Sequence, residues 1–336
     1  MDSQAGLKAE KKAGSGKVLF RPSSSRAINL FERANSNPIL EPTELWWESE
    51  AVFNPAAAED KNGIIHLVYR AIGKDGISRF GYARTKNGEH IDYRSTEPIF
   101  ESDDNNEFEE KGVEDPRLSC VNGEFYMTYT AASKYKANEP PPPWIGPDQP
   151  WRVRVSLAVT KDFKNFSRHG VILPEMDNKD AVLFPEKVNG KFAILHRLPP
   201  DIWIAYSDDL IDWDGHEKVT HTRPGLWDER RIGTGAPPIK TSAGWLISYH
   251  GSDHHNVYRA GFFLLDLKDL SRVLGRSLEP SFEPEEQYEK VGLVPRVVFP
   301  EGLILRGDEL LMYYGGADKV VGLARGSLKK VIASLK

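Results

Sequence analysis

The chain has 336 residues, of which 44 are lysine or arginine and 49 are aspartate or glutamate, giving a net charge of -5 at pH 7. A negative balance offers no electrostatic reason to bind a phosphodiester backbone, so we expect no nucleic acid partner. With 40% hydrophobic and 28% charged residues, the composition is typical of a globular protein rather than a disordered one. No stretch approaches the roughly 18 consecutive apolar residues of a membrane span, so we expect no membrane association.

The N-terminal segment is polar and differs in composition from the rest of the chain. Residues 1–17 are rich in Lys, Ala and Gly and lack the apolar run of a secretory signal, which predicts a disordered tail ahead of one catalytic domain over 18–336. Cys120 is the only cysteine and cannot form an internal disulfide, which favours a reducing compartment and a cytoplasmic protein. Its neighbours over 118–121 predict a buried thiol on a strand rather than a nucleophile.

Five segments along the chain repeat one pattern: a turn, a strand rich in aromatic and β-branched residues, and a polar or aromatic pair at the strand end. They read NGIIHLVYRA (62–71), NGEFYMTYTA (122–131), NGKFAILHRL (189–198), AGWLISYHG (243–251) and RGDELLMYYGG (306–316). A second strand and a short polar turn follow each copy. Copies separated by about 50 to 70 residues are longer than solenoid repeats and suit blades of several strands. The sequence therefore predicts an all-β, five-bladed β-propeller.

Equivalent positions near the strand ends carry polar side chains that a propeller would bring to one mouth of its central channel. They are Arg70, Thr130, Arg197, His250 and Tyr314. Tyrosine and arginine also cap strand ends, so any one of these five residues could have only a structural role. Because all five occupy the same position of the repeat, a shared site is favoured. From these strand ends we take Tyr129 and Tyr314 as candidate substrate-binding residues.

The segments that lead into these strands combine prolines with polar residues, as in VEDPRL (113–118). Proline restricts its own backbone and that of the preceding residue, so Asp115 is held in place, as a catalytic acid requires. The neighbouring acids Glu114, Glu110 and Glu109 could raise the pKa of its carboxyl. Alternatively, Asp115 and Arg117 could form an ion pair that only caps a turn.

Other chemistries find little support in the sequence, which has no GxSxG elbow, P-loop, HExxH motif or cysteine cluster. His254 and His255 lie near Asp253, but adjacent strand residues point to opposite faces, so a solvated loop is favoured over a metal site and no metal is expected. The proline run 140–143 predicts an insertion over one face, as a docking segment or a sugar-stacking loop. Tryptophans such as Trp46, Trp203 and Trp245 could stack on sugars, although core packing accounts for most of them.

A rigid carboxyl, several cations and aromatic surfaces at one mouth would suit the cleavage of a glycosidic bond. Lys179, Arg197 and His250 would suit a phosphate nucleophile better than a water molecule, because cations neutralise a dianion.

Taken together, the motifs resemble glycoside hydrolase family 130, the β-mannoside phosphorylases and their hydrolytic relatives. The resemblance extends from about Asn37 to Leu323 and rests on motifs in a specific order, among them FNPAA, GVEDPRL, DNKDAVLFPEK, GTGAPPIK, VVFPEG and YYGGAD. It implies an inverting phosphorolysis in which inorganic phosphate attacks the anomeric carbon and α-mannose 1-phosphate is released with a shortened acceptor. No cofactor is implied, since phosphate is the co-substrate.

The resemblance also implies roles for individual residues. Asp115 is the general acid, and its proton can pass through a sugar hydroxyl. The mannosyl unit is held by Asn54, Arg70 and Asp318, and the phosphate is approached by Lys179, His250 and Tyr258. Arg197 is a further candidate for binding phosphate, and it is included only because of its position in the repeat.

Two positions depart from the family pattern, and alternatives remain open. Arg296 and Glu301 stand where the family suggests Asn and a small residue, and Glu301 could serve as the general base of an inverting β-mannosidase. A non-catalytic propeller that binds glycan or protein is a third hypothesis. Relatives often associate, so a homo-oligomer stays open, and so do the linkage and the acceptor.

Overall fold

The computed structural model describes residues 28–136, 140–141 and 151–336. The predicted tail over 1–17 and most of the proline-rich insertion lie outside these residues. The described residues form five antiparallel sheets arranged as the blades of a β-propeller, which confirms the predicted fold class.

Each of the first three blades is built from four consecutive strands in chain order, counted from the axis outward. Blade 1 consists of β2 (Ala51–Glu59), β3 (Ile65–Ile72), β4 (Ser78–Thr85) and β5 (Tyr93–Arg94). Blade 2 consists of β6 (Val113–Val121), β7 (Glu124–Ser133), β8 (Arg152–Thr160) and β9 (Phe166–Leu173). Blade 3 consists of β10 (Lys179–Leu183), β11 (Phe192–Leu198), β12 (Asp201–Ser207) and β13 (Asp214–Thr220).

The last two blades vary this plan. Blade 4 has an interrupted inner strand and consists of β14 (Arg231–Thr234), β15 (Ile239–Thr241), β16 (Gly244–Ser252), β17 (Tyr258–Leu265) and β18 (Val273–Arg276). Blade 5 consists of β19 (Val298–Arg306), β20 (Glu309–Gly316), β21 (Val320–Ser327) and, outermost, β1 (Phe31–Arg33). The first strand thus completes the last blade and closes the ring.

The five repeat segments form the second strand of each blade, β3, β7, β11, β16 and β20, as the repeat predicts. The turn before β7 shows how the sequence specifies such a hairpin. Asn122 and Gly123 both adopt positive φ, 52° and 83°, and join β6 directly to β7. Asn-Gly is the preferred pair for such a two-residue hairpin, because Asn tolerates and Gly readily adopts this conformation.

The hydrophobic core is divided into five clusters of buried residues, and each one fills the space between two adjacent blades. Trp245 and Trp227 pack between blades 3 and 4, and Trp47 packs between blades 5 and 1, which confirms core packing for these tryptophans. Trp46, in contrast, is exposed. Since every blade contributes to two clusters, the inner strands are held at fixed positions around the axis.

Outside the blades, the described residues include two short helices, α1 (Gln287–Lys290) and α2 (Leu328–Ser334). Neither is long and apolar enough to cross a membrane. Cys120 lies on β6 as predicted, but its side chain is exposed, so the prediction of a buried thiol is wrong. The reason is that Cys120 lies near the end of the strand, where its side chain is exposed between the buried Ser119 and Val121.

Candidate active site

Irregularities in the inner strands direct polar side chains towards the axis. The antiparallel register shifts at Asn54 in β2, at Asp115 in β6, at Asp180 in β10 and at Glu301 in β19. The first three residues have positive φ values of 49°, 51° and 55°. Asn and Asp tolerate this left-handed conformation better than other side chains, and a bulge re-aims the residue that it carries. These positions are all buried.

Asp115 is the centre of the site. Its Oδ1 accepts hydrogen bonds from Asn54 Nδ2 at 2.9 Å and from Arg70 Nη1 at 3.1 Å. Its Oδ2 accepts one from Lys179 Nζ at 3.1 Å. The partners come from β2 and β3 of blade 1 and from β10 of blade 3, so the two blades next to blade 2 fix the carboxylate.

The charges around Asp115 are positive, contrary to the expected effect of its acidic neighbours in sequence. Burial by itself raises the pKa of the Asp115 carboxyl. The charges of Lys179, Arg70 and Arg117 outweigh that effect and hold the pKa well below its usual range. The predicted upward shift is therefore wrong, because Glu109 and Glu110 point elsewhere: Glu109 pairs with Arg168, and Glu110 pairs with Lys134.

Arg70 is oriented by several oxygen acceptors. Besides Asp115, it donates to Glu114 Oε1 at 2.6 Å and to Ser78 Oγ at 2.9 Å. Asp318 faces the same cavity from the hairpin between β20 and β21. Burial raises the pKa of Asp318 to about 7, against the opposing charge of Arg70. Asn54, Arg70 and Asp318 thus lie together beside Asp115, as the family resemblance implies.

The predicted phosphate residues form the opposite part of the site. Lys179, Arg197, His250 and Tyr258 all line one cavity. Arg197 Nη1 lies 2.7 Å from Asp180 Oδ2. Burial lowers the pKa of His250 to about 3, so its imidazole is neutral at pH 7. The ring of Phe299 lies beside it, with the ring centroids 4.1 Å apart.

The cavity has a volume of about 200 Å³ and a predominantly polar lining. Its lining comprises Asn54, Arg70, Asp115, Lys179, Arg197, Arg231, His250, Tyr258, Val294, Val297, Phe299 and Asp318. Eight of these twelve residues are predicted site residues. The other four, Arg231, Val294, Val297 and Phe299, are not predicted from the sequence, although the motif VVFPEG contains the last two. The aromatic lining comes from Tyr258 and Phe299, while the described tryptophans lie outside it.

Two predicted substrate residues lie in the core instead of the cavity. Tyr129 is buried, and its hydroxyl donates to Glu109 Oε1 at 2.7 Å. Tyr314 is also buried, and its hydroxyl donates to Glu289 Oε1 at 2.8 Å. Both stand on second strands whose side chains alternate between the two faces, so being near a strand end does not bring them to the axis.

The two positions that depart from the family pattern also lie outside the cavity lining. Arg296 is exposed and donates to the backbone oxygen of His255 at 2.8 Å. Glu301 is buried, with its Oε1 2.8 Å from Arg117 Nη2. Burial raises the pKa of Glu301 well above its usual value, although Arg117 opposes the shift.

Arg117 links the inner strands below the cavity. It does not pair with the carboxylate of Asp115 but donates to its backbone oxygen at 2.8 Å. Arg117 also donates hydrogen bonds to the backbone oxygens of Gly235 and Thr234, at 3.1 and 3.2 Å. Arg117 therefore binds the backbone of Asp115 and does not form the local ion pair with its carboxylate that the sequence left open.

The adjacent histidines His254 and His255 do not line the cavity. His254 and His255 are exposed in the hairpin between β16 and β17, where loop residues were predicted. Across the described residues, no three His, Cys, Asp or Glu side chains are grouped so that they could hold a metal ion.

Comparison with known proteins relates this architecture to a group of enzymes. A family model described as beta-1,4-mannooligosaccharide phosphorylase matches residues 26–336. The 1,2-beta-oligomannan phosphorylase of Thermoanaerobacter sp. (strain X514) is 43% identical over 308 residues, covering 89% of this chain and 98% of that protein. The beta-1,2-mannobiose phosphorylase of the same organism is 39% identical over 313 residues, with coverage of 89% and 98%.

A solved structure extends the similarity to three dimensions. The beta-1,2-mannobiose phosphorylase from Listeria innocua, in a complex with beta-1,2-mannobiose, superposes with a TM-score of 0.78 at 30% identity. The match covers 91% of this chain and 99% of that one. The similarity therefore includes the five blades and the inner strands that carry the cavity.

Proposed function

The chain belongs to glycoside hydrolase family 130, and on that basis we propose that it is an inverting phosphorylase that cleaves β-1,2-linked mannosides with inorganic phosphate. The products are α-mannose 1-phosphate and an acceptor shortened by one mannosyl unit. The observation that carries the proposal is the cavity itself, in which one anchored carboxylate, Asp115, faces Lys179, Arg197 and His250.

The mannosyl unit binds in the part of the cavity lined by Asn54, Arg70 and Asp318. Amide, guanidinium and carboxyl groups together offer donors and acceptors, which suits the hydroxyl groups of a pyranose. Arg70 is held by Glu114 and Ser78, so it is preorganised before substrate arrives.

Phosphate binds against Lys179 and Arg197, with His250 and Tyr258 beside them. Two fixed cations compensate a dianion and bring a phosphate oxygen to the face of the anomeric carbon opposite the leaving group. In the reaction, the bond between that carbon and the glycosidic oxygen breaks, a carbon–oxygen bond to phosphate forms, and the leaving oxygen takes up a proton. Inversion at the β-linked carbon gives the α-phosphate.

The proton comes from Asp115 once both substrates are bound. In the free protein, three cations keep its carboxyl ionised. A phosphate dianion beside Lys179 offsets part of that positive charge, and the sugar excludes water, so both effects raise the pKa of Asp115. Asp115 therefore takes up a proton from the solvent as the substrates bind and passes it to the leaving oxygen, which leaves the carboxylate ionised again.

Hydrolysis, which requires a second carboxylate to activate water, is the less favoured alternative. The second carboxyl of the cavity, Asp318, lies beside Arg70 among the residues assigned to the mannosyl unit. Glu301 was the candidate base, but it lies outside the cavity lining and is 2.8 Å from Arg117. A buried carboxyl with a raised pKa, turned towards an arginine, is poorly placed to take a proton from water in the cavity.

The choice of the β-1,2 linkage can be tested directly. We expect kcat/KM in phosphate buffer to be at least about tenfold higher for β-1,2-mannobiose than for β-1,4-mannobiose, since acceptor contacts discriminate through differential transition-state binding. Purified protein is assayed for mannose 1-phosphate with each disaccharide, and the reverse reaction from mannose 1-phosphate checks which linkage is made. Equal or higher efficiency on the β-1,4 disaccharide contradicts the assignment.

We also propose that the enzyme works in the cytoplasm, needs no cofactor besides phosphate as co-substrate, and binds no nucleic acid. The single cysteine, which cannot form an internal disulfide, fits a reducing compartment. The negative net charge of -5 supports the absence of nucleic acid binding.

A further inference from the structure

Asp180 is a buried carboxylate next to the cavity that none of the roles above uses. It follows Lys179 in β10 and occupies the bulge of blade 3, as Asp115 occupies that of blade 2. Its side chain is fully buried and does not line the cavity. Any effect of Asp180 on the reaction must therefore pass through the residues that it contacts.

Those contacts lead to the phosphate side of the cavity. Asp180 Oδ2 lies 2.7 Å from Arg197 Nη1 and 3.6 Å from His250 Nε2. Asp180 Oδ1 accepts from Arg117 Nη2 at 3.4 Å. One carboxylate thus joins two cavity residues from different blades, β11 and β16, to the arginine below them.

The surroundings fix Asp180 in this position. The Thr234 hydroxyl donates to its backbone oxygen. Gly233 leaves room for the contact, because a Cβ at that residue would lie 2.3 Å from Asp180 Oδ2 and 2.5 Å from His250 Cε1. A glycine is therefore needed where the carboxylate meets the imidazole.

Asp180 stays ionised in this environment. Burial raises the pKa of its carboxyl, but the charges of Arg197 and Lys179 outweigh burial and lower it. The carboxylate engages Arg197 through one terminal nitrogen, and Arg197 Nε has no hydrogen-bond partner within the described residues. The guanidinium is thus held by an ion pair to Asp180, and its Nε is buried.

We propose that Asp180 is a positioning residue for phosphate: its ion pair holds Arg197, beside His250, in the orientation that receives the anion. The inference rests on the proposed phosphorolysis and adds a residue that contacts neither substrate. Without the carboxylate, Arg197 can adopt other rotamers, and the preorganised geometry of the phosphate site is lost.

The test is the variant Asp180→Asn, which keeps the shape of the side chain and suits the positive φ of 55°. We expect the KM for phosphate to rise by about tenfold or more while the KM for β-1,2-mannobiose changes by less than about twofold. If the phosphate KM stays unchanged, or if both KM values rise in parallel, the positioning role is wrong.

Asp177→Asn is the matched control, since Asp177 is another buried carboxylate of the same blade junction and bonds to Arg154 at 3.0 Å, away from the cavity. It should lower the thermal unfolding midpoint without changing the phosphate KM. If Asp180→Asn does not fold, Gly233→Ala serves instead, because its methyl group displaces Asp180 and His250 without removing a charge, and the same selective rise is expected. Phosphate-independent turnover by the wild type contradicts the proposed function, whereas phosphate-dependent turnover with an unchanged variant KM contradicts the role of Asp180 alone.

Discussion

Replacement of Asp115 by asparagine is expected to lower kcat for β-1,2-mannobiose phosphorolysis by about 10³-fold, because general acid catalysis contributes roughly 10²- to 10⁴-fold. Asparagine keeps the size of the side chain and can still accept a hydrogen bond from Arg70 or Lys179. It cannot deliver a proton to the leaving oxygen. Steady-state kinetics at saturating phosphate, together with a thermal unfolding curve, provide the measurement.

A substrate that needs no acid separates catalysis from structural damage. An aryl β-mannoside with a nitrophenolate leaving group departs without protonation, so Asp115→Asn should lose much less activity on it than on mannobiose. Glu114→Gln is the matched control, because Glu114 also binds Arg70 but lies outside the cavity lining, and its kcat should fall by less than about tenfold. Equal losses on both substrates would rule out Asp115 as the proton donor.

Replacement of Lys179 by methionine is expected to raise the KM for phosphate by roughly 10- to 100-fold, since a hydrogen bond to a charged group contributes about 1.5–3 kcal/mol. Methionine fills similar space but carries no charge. Lys179 also binds Asp115 at 3.1 Å, and its loss removes one of the charges that lower the pKa of that carboxyl. The KM for mannobiose should change far less than the KM for phosphate.

Two further variants sharpen the result for Lys179. Lys179→Arg keeps the positive charge and should retain part of the phosphate affinity. Lys187→Met removes an exposed lysine of the segment that follows β10 and should leave both KM values unchanged. A phosphate KM that is the same in Lys179→Met and in the wild type would place the anion elsewhere.

The fold was predictable because each blade repeats one pattern. Each copy begins with a glycine-containing turn, which is Asn-Gly in three of the five, and continues into a strand rich in apolar residues. The second strand of every blade occurs where the repeat places it. The closure of the ring was not predictable in the same way. β1 has three residues and pairs with β21 from the other end of the chain, and no local pattern specifies that partner.

The site was predictable where a motif fixes the backbone, whereas position in the repeat alone was correct for Arg197, which lines the cavity, and wrong for Tyr129 and Tyr314. Asn54 and Asp115 lie at bulges of inner strands where a proline follows directly, and Lys179 begins the bulge of β10. Tyr129 and Tyr314 were inferred from strand ends alone, and the face of a strand cannot be read from its end. The roles of these residues remain predictions that the variants above test.

The wrong direction predicted for the pKa of Asp115 also comes from judging a residue by its place in the sequence. Its neighbours in sequence are acidic, but Glu109 and Glu110 lie in the turn before β6 and pair with Arg168 and Lys134. Its neighbours in space are the cations of β3 and β10, separated from it by 45 and 64 residues. A pKa depends on distances in the folded chain, so local composition gave the wrong sign.

The phosphate dependence of mannoside cleavage tests the central claim most directly. Purified protein is incubated with β-1,2-mannobiose in the presence and absence of inorganic phosphate, and the products are followed by phosphorus and proton NMR. We predict that cleavage requires phosphate and yields equal amounts of α-mannose 1-phosphate and mannose. Release of two mannose molecules per disaccharide at a rate that phosphate does not change would contradict it.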